Sequence, residues 1–221
     1  MLKLPDFPAS PRRRPQNLAA TSRHGNPCAT INPPMPAISA QLVDALSSTD
    51  DSVRADAAAQ IYNAGTATAL VIAKKWQQDA ELADLLATPD LHVTAGLAVF
   101  HATFAKIRAA ANDPALAEVP PDQDAQEFGL HFENNISLDI LTTKDPAGPG
   151  AIARYLNKFG QGIQQVEFRC KNVDAATQIL RTNFTLSPVY PATRPGASHT
   201  RINFFLIATE SEKILIELYE L

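Results

Sequence analysis

The chain has 221 residues, of which 45% are hydrophobic and 19% charged, with a formal net charge of −4 at pH 7. This composition is typical of a globular protein of one or two domains, long enough to bury a core. No run approaches the roughly 20 apolar residues of a membrane span. Two cysteines cannot supply a zinc-type ligand set or a disulfide framework, so a cytoplasmic location is expected.

Residues 1–36 form a Pro- and Arg-rich segment that is predicted not to fold by itself, since it holds eight of the 17 prolines and no hydrophobic period. Three interpretations stay open: a disordered tail, a targeting peptide that lacks an apolar region, or a misplaced start, because Met35 precedes the first helical pattern. We favour the tail or the misplaced start. The remainder, residues 41–221, carries 14 basic and 22 acidic residues. That acidic balance argues against a nucleic-acid partner.

Residues 37–90 are predicted to form a helical extension of three helices. Leu42 and Leu46 mark the first. Asp50 is suited to cap the second, which a glycine C-cap at Gly65 is predicted to end. The third is predicted over 66–86. The segment shows no catalytic pattern and is interpreted as a packing or dimerisation element, so a homodimer is one expected assembly.

From residue 91 onward the pattern changes to strands that alternate with single helices. Two similar units of strand, helix and hairpin follow each other, the first hairpin turning at 133–135. This order predicts an α+β domain made of paired βαβββ modules over residues 91–221. The predicted strands are 91–99, 126–132, 136–141, 162–170, 201–207 and 214–219, and the predicted helices 102–111, 151–159 and 173–182.

Each module ends in an apolar strand with one carboxylate at its centre. Asp139 lies in 136–141 and Glu217 in 214–218. A bare carboxylate inside a sheet is unfavourable unless it is paired, bound to a metal or exposed to a cavity. The alternative to a site is a salt bridge to Arg169 or Arg201. Two matching carboxylates in two similar units favour a site built from both halves.

Strand alternation gives most strands one apolar and one polar face. The apolar faces are predicted to pack on helices and the polar faces to line a cleft. The predicted cleft set is His92, Thr94, Glu127, His131, Ser137, Asp139, Gln165, Glu167, Arg169, Asn203 and Glu217.

Several segments resemble the vicinal oxygen chelate superfamily of glyoxalases, bleomycin-resistance proteins and dioxygenases. They are 160–168, 172–174, 201–204, 214–218 and the linker 150–162. Within the superfamily these segments resemble most the methylmalonyl-CoA epimerases. The resemblance implies two βαβββ modules that enclose a cleft for a small oxygen-chelating substrate.

The resemblance also implies a divalent metal (Co, Mn, Ni, Zn or Mg) held by Thr94, Asp139, Gln165 and Glu217. Glu217 matches the family pattern well, and an amide oxygen at Gln165 suits a hard cation. Asp139 is one methylene shorter than the usual side chain, and Thr94 is a poor ligand. Because no histidine occupies these positions, dioxygenase chemistry is disfavoured.

Two functions follow from this resemblance. In the first, a metal-dependent isomerase or glyoxalase-type lyase moves a proton next to a carbonyl through an enolate-like intermediate. Glu217 would assist proton transfer together with Asp122 or Glu127. In the second, a metal-free module binds a small molecule without turnover. Substrate contacts are expected from Arg169, Asn203, His131 and Glu167.

Overall fold

The computed structural model describes residues 38–87, 89–209 and 213–221. The interpretations of residues 1–36 lie outside this part of the chain. Helices and strands alternate after residue 90, as predicted. The helices are α1 (Ala40–Ala45), α2 (Asp51–Trp76), α3 (Ala80–Leu85), α4 (His101–Ala110), α5 (Ala151–Phe159) and α6 (Val173–Asn183). The strands are β1 (Val93–Ala98), β2 (Gln126–Phe132), β3 (Ile136–Thr142), β4 (Gly162–Arg169), β5 (Arg194–Pro195), β6 (Arg201–Ala208) and β7 (Lys213–Glu220).

The strands form one mixed sheet in the order β2-β3-β1-β4-β7-β6-β5. Within each half the first and last strands run parallel, β1 with β3 and β4 with β7. The two halves meet where β1 pairs antiparallel with β4. The predicted α+β fold of two paired modules is therefore confirmed. The first module has three strands, and the second has four, of which β5 has only two residues.

The hairpin between β2 and β3 turns where the sequence predicts. Asn134 and Asn135 both have a φ of 59°, and the amide of Ile136 donates to the carbonyl of Glu133. Two successive positive φ angles define a tight hairpin turn whose twist suits the flanking strands, and asparagine tolerates this conformation better than most residues.

Helix α2 packs across one face of the sheet, where it contacts β1, β3, β4 and β7. Its buried residues join those of the strands in a single core, in which the Trp76 and Phe168 rings meet edge to face at 6.0 Å. The helical segment after residue 38 thus packs on the sheet itself. None of the helices in the described residues has the length and apolar character needed to cross a membrane.

The predicted helix end at Gly65 is wrong, because α2 continues without interruption to Trp76. Gly65 is instead the point of closest approach between helix and sheet. A Cβ atom there would lie 3.0 Å from Cγ1 of Ile163 on β4. The glycine serves close packing between layers, and a single sequence cannot distinguish that role from a cap.

A second, smaller core lies on the opposite face of the sheet. Helix α5, which links the two modules, buries Ile152 and Leu156 against Ala98 and Leu141. The hydroxyl of Tyr155 donates to the carbonyl of Ile163 at 2.7 Å. Helix α5 therefore covers one end of this face and leaves the rest available to a site.

Replacing Gly65 by valine is expected to lower the free energy of unfolding by about 1–3 kcal/mol, because the added side chain overpacks the contact with Ile163. The matched control is Ala67→Val on the exposed side of α2, where only helix propensity changes, by a few tenths of a kcal/mol. Urea denaturation of both variants measures the difference. Equal losses would contradict the packing role of Gly65.

Candidate functional site

Two neighbouring cavities occupy the face of the sheet that α2 leaves uncovered. The first, called here the acidic cavity, has a volume of about 330 Å³ and is lined by Glu127, Asp139, Glu167 and Glu217. The second, called the apolar cavity, has about 680 Å³ and includes Leu141, Ile152, Phe204 and Leu215 in its wall. Gln123, Glu127 and Ile202 line both cavities and so form their boundary.

Two glycines flank Asp139 in the sheet. In the strand register Asp139 pairs with Gly129 on β2 and with Gly96 on β1. Gly96 in turn pairs with Gln165, and a Cβ atom on Gly96 would lie 2.6 Å from Cγ of Gln165. The missing side chain at Gly96 thus lets Gln165 extend over the central strand. Glycine inside a strand often marks such a close approach.

The amide of Gln165 connects two carboxylates. Its Nε2 donates to Oε2 of Glu217 at 2.7 Å and to Oε1 of Glu167 at 3.1 Å. Glu167 and Glu217 are direct neighbours in the register of β4 and β7, with Thr94 of β1 on the other side of Glu167. Residues from both modules therefore share one cluster, as the duplicated strand motif predicted.

The four carboxyl groups weaken one another as acids. Burial raises the pKa of Glu127 and of Glu167 to about 7, the charge of Glu127 adding to the shift of Glu167. Burial, and then the neighbouring carboxylates, raise the pKa of Asp139 and of Glu217 well above the usual range. The hydrogen bonds from Gln165 act in the opposite direction on Glu167 and Glu217. Several carboxyl groups of the cluster are therefore protonated near neutral pH.

Neither arginine proposed as a salt-bridge partner binds these carboxylates. Arg201 pairs instead with Asp174 and Glu220, at 2.5 Å each. Of the described residues that line the acidic cavity, none is a lysine or arginine. The cluster is therefore exposed to the cavity and not neutralised by a cationic side chain in its wall.

The four predicted metal ligands, Asp139, Thr94, Gln165 and Glu217, lie on the neighbouring strands β3, β1, β4 and β7. Among the described residues, no three His, Cys, Asp or Glu side chains are arranged to hold one ion. Gln165 directs its N–H donor, not its carbonyl oxygen, at Glu167 and Glu217. Asp139 stands one strand further away, beyond Gly96. All four side chains carry oxygen atoms of the kind that suits a hard cation, and the Gln165 amide would have to turn its oxygen inward to join them.

Four of the predicted site residues do not line the acidic cavity: Asp122, Gln165, Arg169 and Asn203. Asp122 lines the apolar cavity and is paired with Arg194 at 2.6 Å. Arg169 is exposed at the end of β4 and lines a separate cavity of about 410 Å³. His92 borders both that cavity and the acidic one, and burial followed by the charge of Arg169 lowers its pKa.

The placement of Asn203 in the cleft is wrong. Asn203 is fully buried on the helix-covered face, while its neighbours Ile202 and Phe204 line the apolar cavity. Its side-chain amide donates to the carbonyl of Tyr190 at 3.2 Å, and its Oδ1 accepts from the amide of Phe204 at 2.9 Å. Strand alternation could not predict this placement, because a polar side chain can lie on the apolar face when it hydrogen-bonds to a loop, as Asn203 does to Tyr190.

Two further predicted residues line the acidic cavity. His131 is exposed at its edge, where Nδ1 lies 3.1 Å from the hydroxyl of Ser137. Thr94 is 8% exposed and lines the cavity, and its hydroxyl has no hydrogen-bond partner among the described residues. Tyr219 adds a second hydroxyl, and burial raises its pKa to about 12, so it remains a donor.

The sequence analysis missed the loop between α6 and β6, over 184–200. It supplies Tyr190 and Arg194, whose guanidinium lies 4.6 Å from the Tyr190 ring centre, to the apolar cavity. It also crosses to the first module, since Gln123 donates to the carbonyl of Pro195 at 3.0 Å. The length of the loop was the available signal, because long connections inside a compact domain are often functional.

A β-bulge adds one more residue to the cavity wall. The register between β1 and β4 shifts at Gly96 and Leu97, so that Gln164 has no partner on β1. Gln164 and Gln165 consequently both line the apolar cavity. Strict alternation would have placed Gln164 on the opposite face, and bulges commonly redirect side chains in this way.

Comparison with solved structures finds several similar chains. The chain is similar to methylmalonyl-CoA epimerase from Mycobacterium tuberculosis, with 29% identity, a TM-score of 0.47, and coverage of 57% of this chain and 85% of the other. It is also similar to a variant of the Streptomyces coelicolor epimerase in complex with 2-nitronate-propionyl-CoA, with 22% identity, coverage of 57% and 94%, and a TM-score of 0.46.

A hypothetical protein from Bacillus halodurans matches at 20% identity, with coverage of 60% and 95% and a TM-score of 0.48. No family model matches the sequence, and neither does any curated protein. The two-module sheet described above agrees with the fold that the resemblance to the vicinal oxygen chelate superfamily implied.

The raised pKa values of the cluster predict that stability falls as the pH rises. Between pH 4.5 and 7 the folded state holds protons on Glu127 and Glu167 that the unfolded chain releases. The stabilisation of the folded state by these protons is complete below pH 4.5 and is lost as the pH rises through 7. After allowance for partial exposure, about 1–2 kcal/mol per group is expected.

Urea denaturation of the wild type and of Glu167→Gln between pH 5 and 8 measures this loss. The variant should lose less stability over that range, because a neutral amide replaces one titrating carboxyl group. Glu133→Gln, an exposed position in the β2–β3 turn, is the matched control and should follow the wild type. Identical slopes for all three proteins would rule out a coupled buried cluster.

Proposed function

We propose that this protein is a proton-transfer enzyme of the isomerase type that acts next to the carbonyl group of a small molecule. The observation that supports it is the cluster of four carboxyl groups, contributed by both modules, in one cavity whose described wall residues include no lysine or arginine. Fold resemblance alone would not specify chemistry, whereas grouped acids with displaced pKa values are typical of acid–base sites.

Glu127 is the proposed general base. It lies on the boundary of the two cavities, so a ligand held in either one can bring a C–H bond to it. A carboxylate with a pKa of about 7 is half ionised at neutral pH and is a stronger base than an ordinary glutamate. The same group, once protonated, can return the proton.

Asp139 is the proposed electrophilic donor. Burial and then the neighbouring carboxylates raise its pKa well above the usual range and so favour its protonated form, whose O–H can donate to the carbonyl oxygen as negative charge develops there. A neutral carboxylic acid in an apolar site stabilises an enolate in this way in ketosteroid isomerase. Tyr219 offers a second hydroxyl donor in the same cavity.

Glu217 is held by Gln165 and takes a positioning role in this scheme. The metal of the family resemblance is given no step, because Gln165 presents an N–H donor where the scheme would need an oxygen ligand. Asp122, expected as the second acid–base group, is paired with Arg194 and does not line the acidic cavity.

Replacement of Glu127 by glutamine is expected to reduce proton transfer at least 100-fold, the usual contribution of a positioned base. The assay follows exchange of α-hydrogen for deuterium in D₂O, by mass spectrometry, over a panel of small acyl thioesters and carbonyl compounds. The wild-type rate should rise tenfold per pH unit below 7 and level above it. Glu133→Gln should exchange like the wild type, and unchanged exchange in Glu127→Gln would exclude Glu127 as the base.

The second candidate function is binding without turnover, favoured by Thr94 at a position where the family resemblance places a metal ligand. Whether a divalent metal is bound distinguishes the metal-dependent scheme from both the binding function and the proposed enzyme. Protein purified without chelator is expected to hold no stoichiometric divalent ion, and exchange to persist in chelator. One ion per chain, lost in Glu217→Gln, would restore the metal-dependent scheme, and the absence of exchange on every substrate would leave the binding function.

A further inference from the structure

The end of the loop between α6 and β6 forms part of the wall of both cavities. Residues 194–200, called here the strap, run from β5 to the start of β6. Arg194 lines the apolar cavity, and Ser198 lines the acidic one. Between them, a Cβ atom on Gly196 would lie only 2.5 Å from Cγ2 of Ile202, a residue of the boundary between the cavities. The strap is therefore packed directly on the place where the two cavities meet.

Four contacts join the strap to the segment 111–125, which belongs to the first module and precedes β2. Each of them involves an exposed residue. They are the ion pair of Arg194 with Asp122 at 2.6 Å, the hydrogen bond from Gln123 to the carbonyl of Pro195 at 3.0 Å, the hydrogen bond from the amide of Ser198 to the carbonyl of Glu118 at 2.9 Å, and the contact of His199 with the Glu118 carboxylate at 3.2 Å. The strap thus extends from the second module, to which it belongs, across to the first.

These cross-module contacts are weak compared with those that hold the loop on its own module. The side chains of His199 and Glu118 are 88% and 80% exposed, and exposed ion pairs contribute little to stability and are screened by salt. Before the strap, by contrast, the fully buried side chain of Asn203 donates to the carbonyl of Tyr190 at 3.2 Å. At the start of the strap, β5 pairs with β6 over two residues. The loop is therefore fixed on the second module and loosely attached to the first.

Two residues of the strap have a backbone conformation that favours release. Ser198 has a φ of 50° and a ψ of 40°, and His199 has a φ of 64°, in the left-handed region that residues other than glycine rarely adopt. Such a conformation persists only where the surroundings enforce it. The amide of Ser198 is the donor to Glu118, so the contact that holds the strap against the first module also maintains the unfavourable backbone. Loss of that contact lets the strap relax.

We propose that the strap is a gate that controls access to both cavities and that its contacts with Glu118, Asp122 and Gln123 hold it closed. Opening breaks these exposed contacts and lifts Gly196 away from Ile202, while the loop stays attached to β6 at Tyr190. The gate acts on access and not on chemistry, so it goes beyond the proposed function and stands whether or not the cavity transfers protons.

Hydrogen-exchange mass spectrometry of the full chain tests the motion of the strap. Asp122→Asn removes the charge that pairs with Arg194 and should raise the exchange rate of the strap amides about threefold, the usual strength of an exposed ion pair. Sodium chloride at about 0.5 M should do the same to the wild type by screening. Gly196→Ala, whose Cβ atom would overlap the cavity boundary, should raise the rate by a larger factor. Asp113→Asn, an exposed acid of the same segment that lies 3.8 Å from Arg108, is the matched control and should exchange like the wild type.

Thiol labelling tests whether this motion opens the cavities. Ile202→Cys places a thiol beneath the strap, and its reaction with Ellman's reagent is corrected for the parent protein. Salt and the added Asp122→Asn substitution should accelerate this labelling to the same extent as they accelerate amide exchange, and Asp113→Asn should leave it unchanged.

Three outcomes would overturn the gate: strap exchange that neither salt nor Gly196→Ala alters, faster exchange without faster labelling, or labelling under the wild-type strap as fast as that of free cysteine. The salt measurement uses the unaltered chain, so it decides the question even where a variant fails to fold. None of these measurements uses a substrate, so their failure is distinguishable from failure of the deuterium-exchange test of the proposed function.

Discussion

The antiparallel pairing of β1 with β4 is the contact on which the other features of the domain depend. It joins the two modules into one sheet, and it brings Thr94 and Gly96 of the first module beside Glu167 and Gln165 of the second. Neither module contains the site alone, because Asp139 enters from the far side of β1 and Glu217 from the far side of β4. Any change in the register of this seam would separate the cluster.

The two faces of the sheet at the β1–β4 pairing require different side chains from the strands. On one face, α2 lies close enough to require glycine at residue 65, and the buried side chains are apolar. On the other, a side chain on Gly96 would collide with Gln165 and one on Gly129 would crowd His131, so the two glycines leave room for these polar side chains. Close packing on the helix face holds the strands rigid, which fixes the polar groups on the opposite face within hydrogen-bond distance.

The cluster lowers the stability of the fold, and this is the strongest argument that it is functional. Four carboxyl groups in partial burial repel one another, and the structure relieves this with one amide and with protons, not with a salt bridge. Natural proteins rarely keep such an arrangement in a purely structural sheet, since apolar residues would be more favourable there. The proposed proton transfer would make use of these displaced acidities.

The sequence by itself determined the order of elements after residue 90, the two-module architecture and the β2–β3 hairpin, because alternation and turn chemistry are local properties. It also identified Asp139 and Glu217, since an isolated carboxylate in an apolar strand is visible without a structure. Only the tertiary structure decided the role of Gly65, the face on which Asn203 lies, and the inclusion of Gln164. Each of these depends on a contact between separate segments of the chain. Gly65 packs against Ile163, Asn203 hydrogen-bonds to Tyr190, and Gln164 lies at the bulge opposite β1. The amide link from Gln165 to both carboxylates belongs to the same group, because it requires the registers of three strands at once.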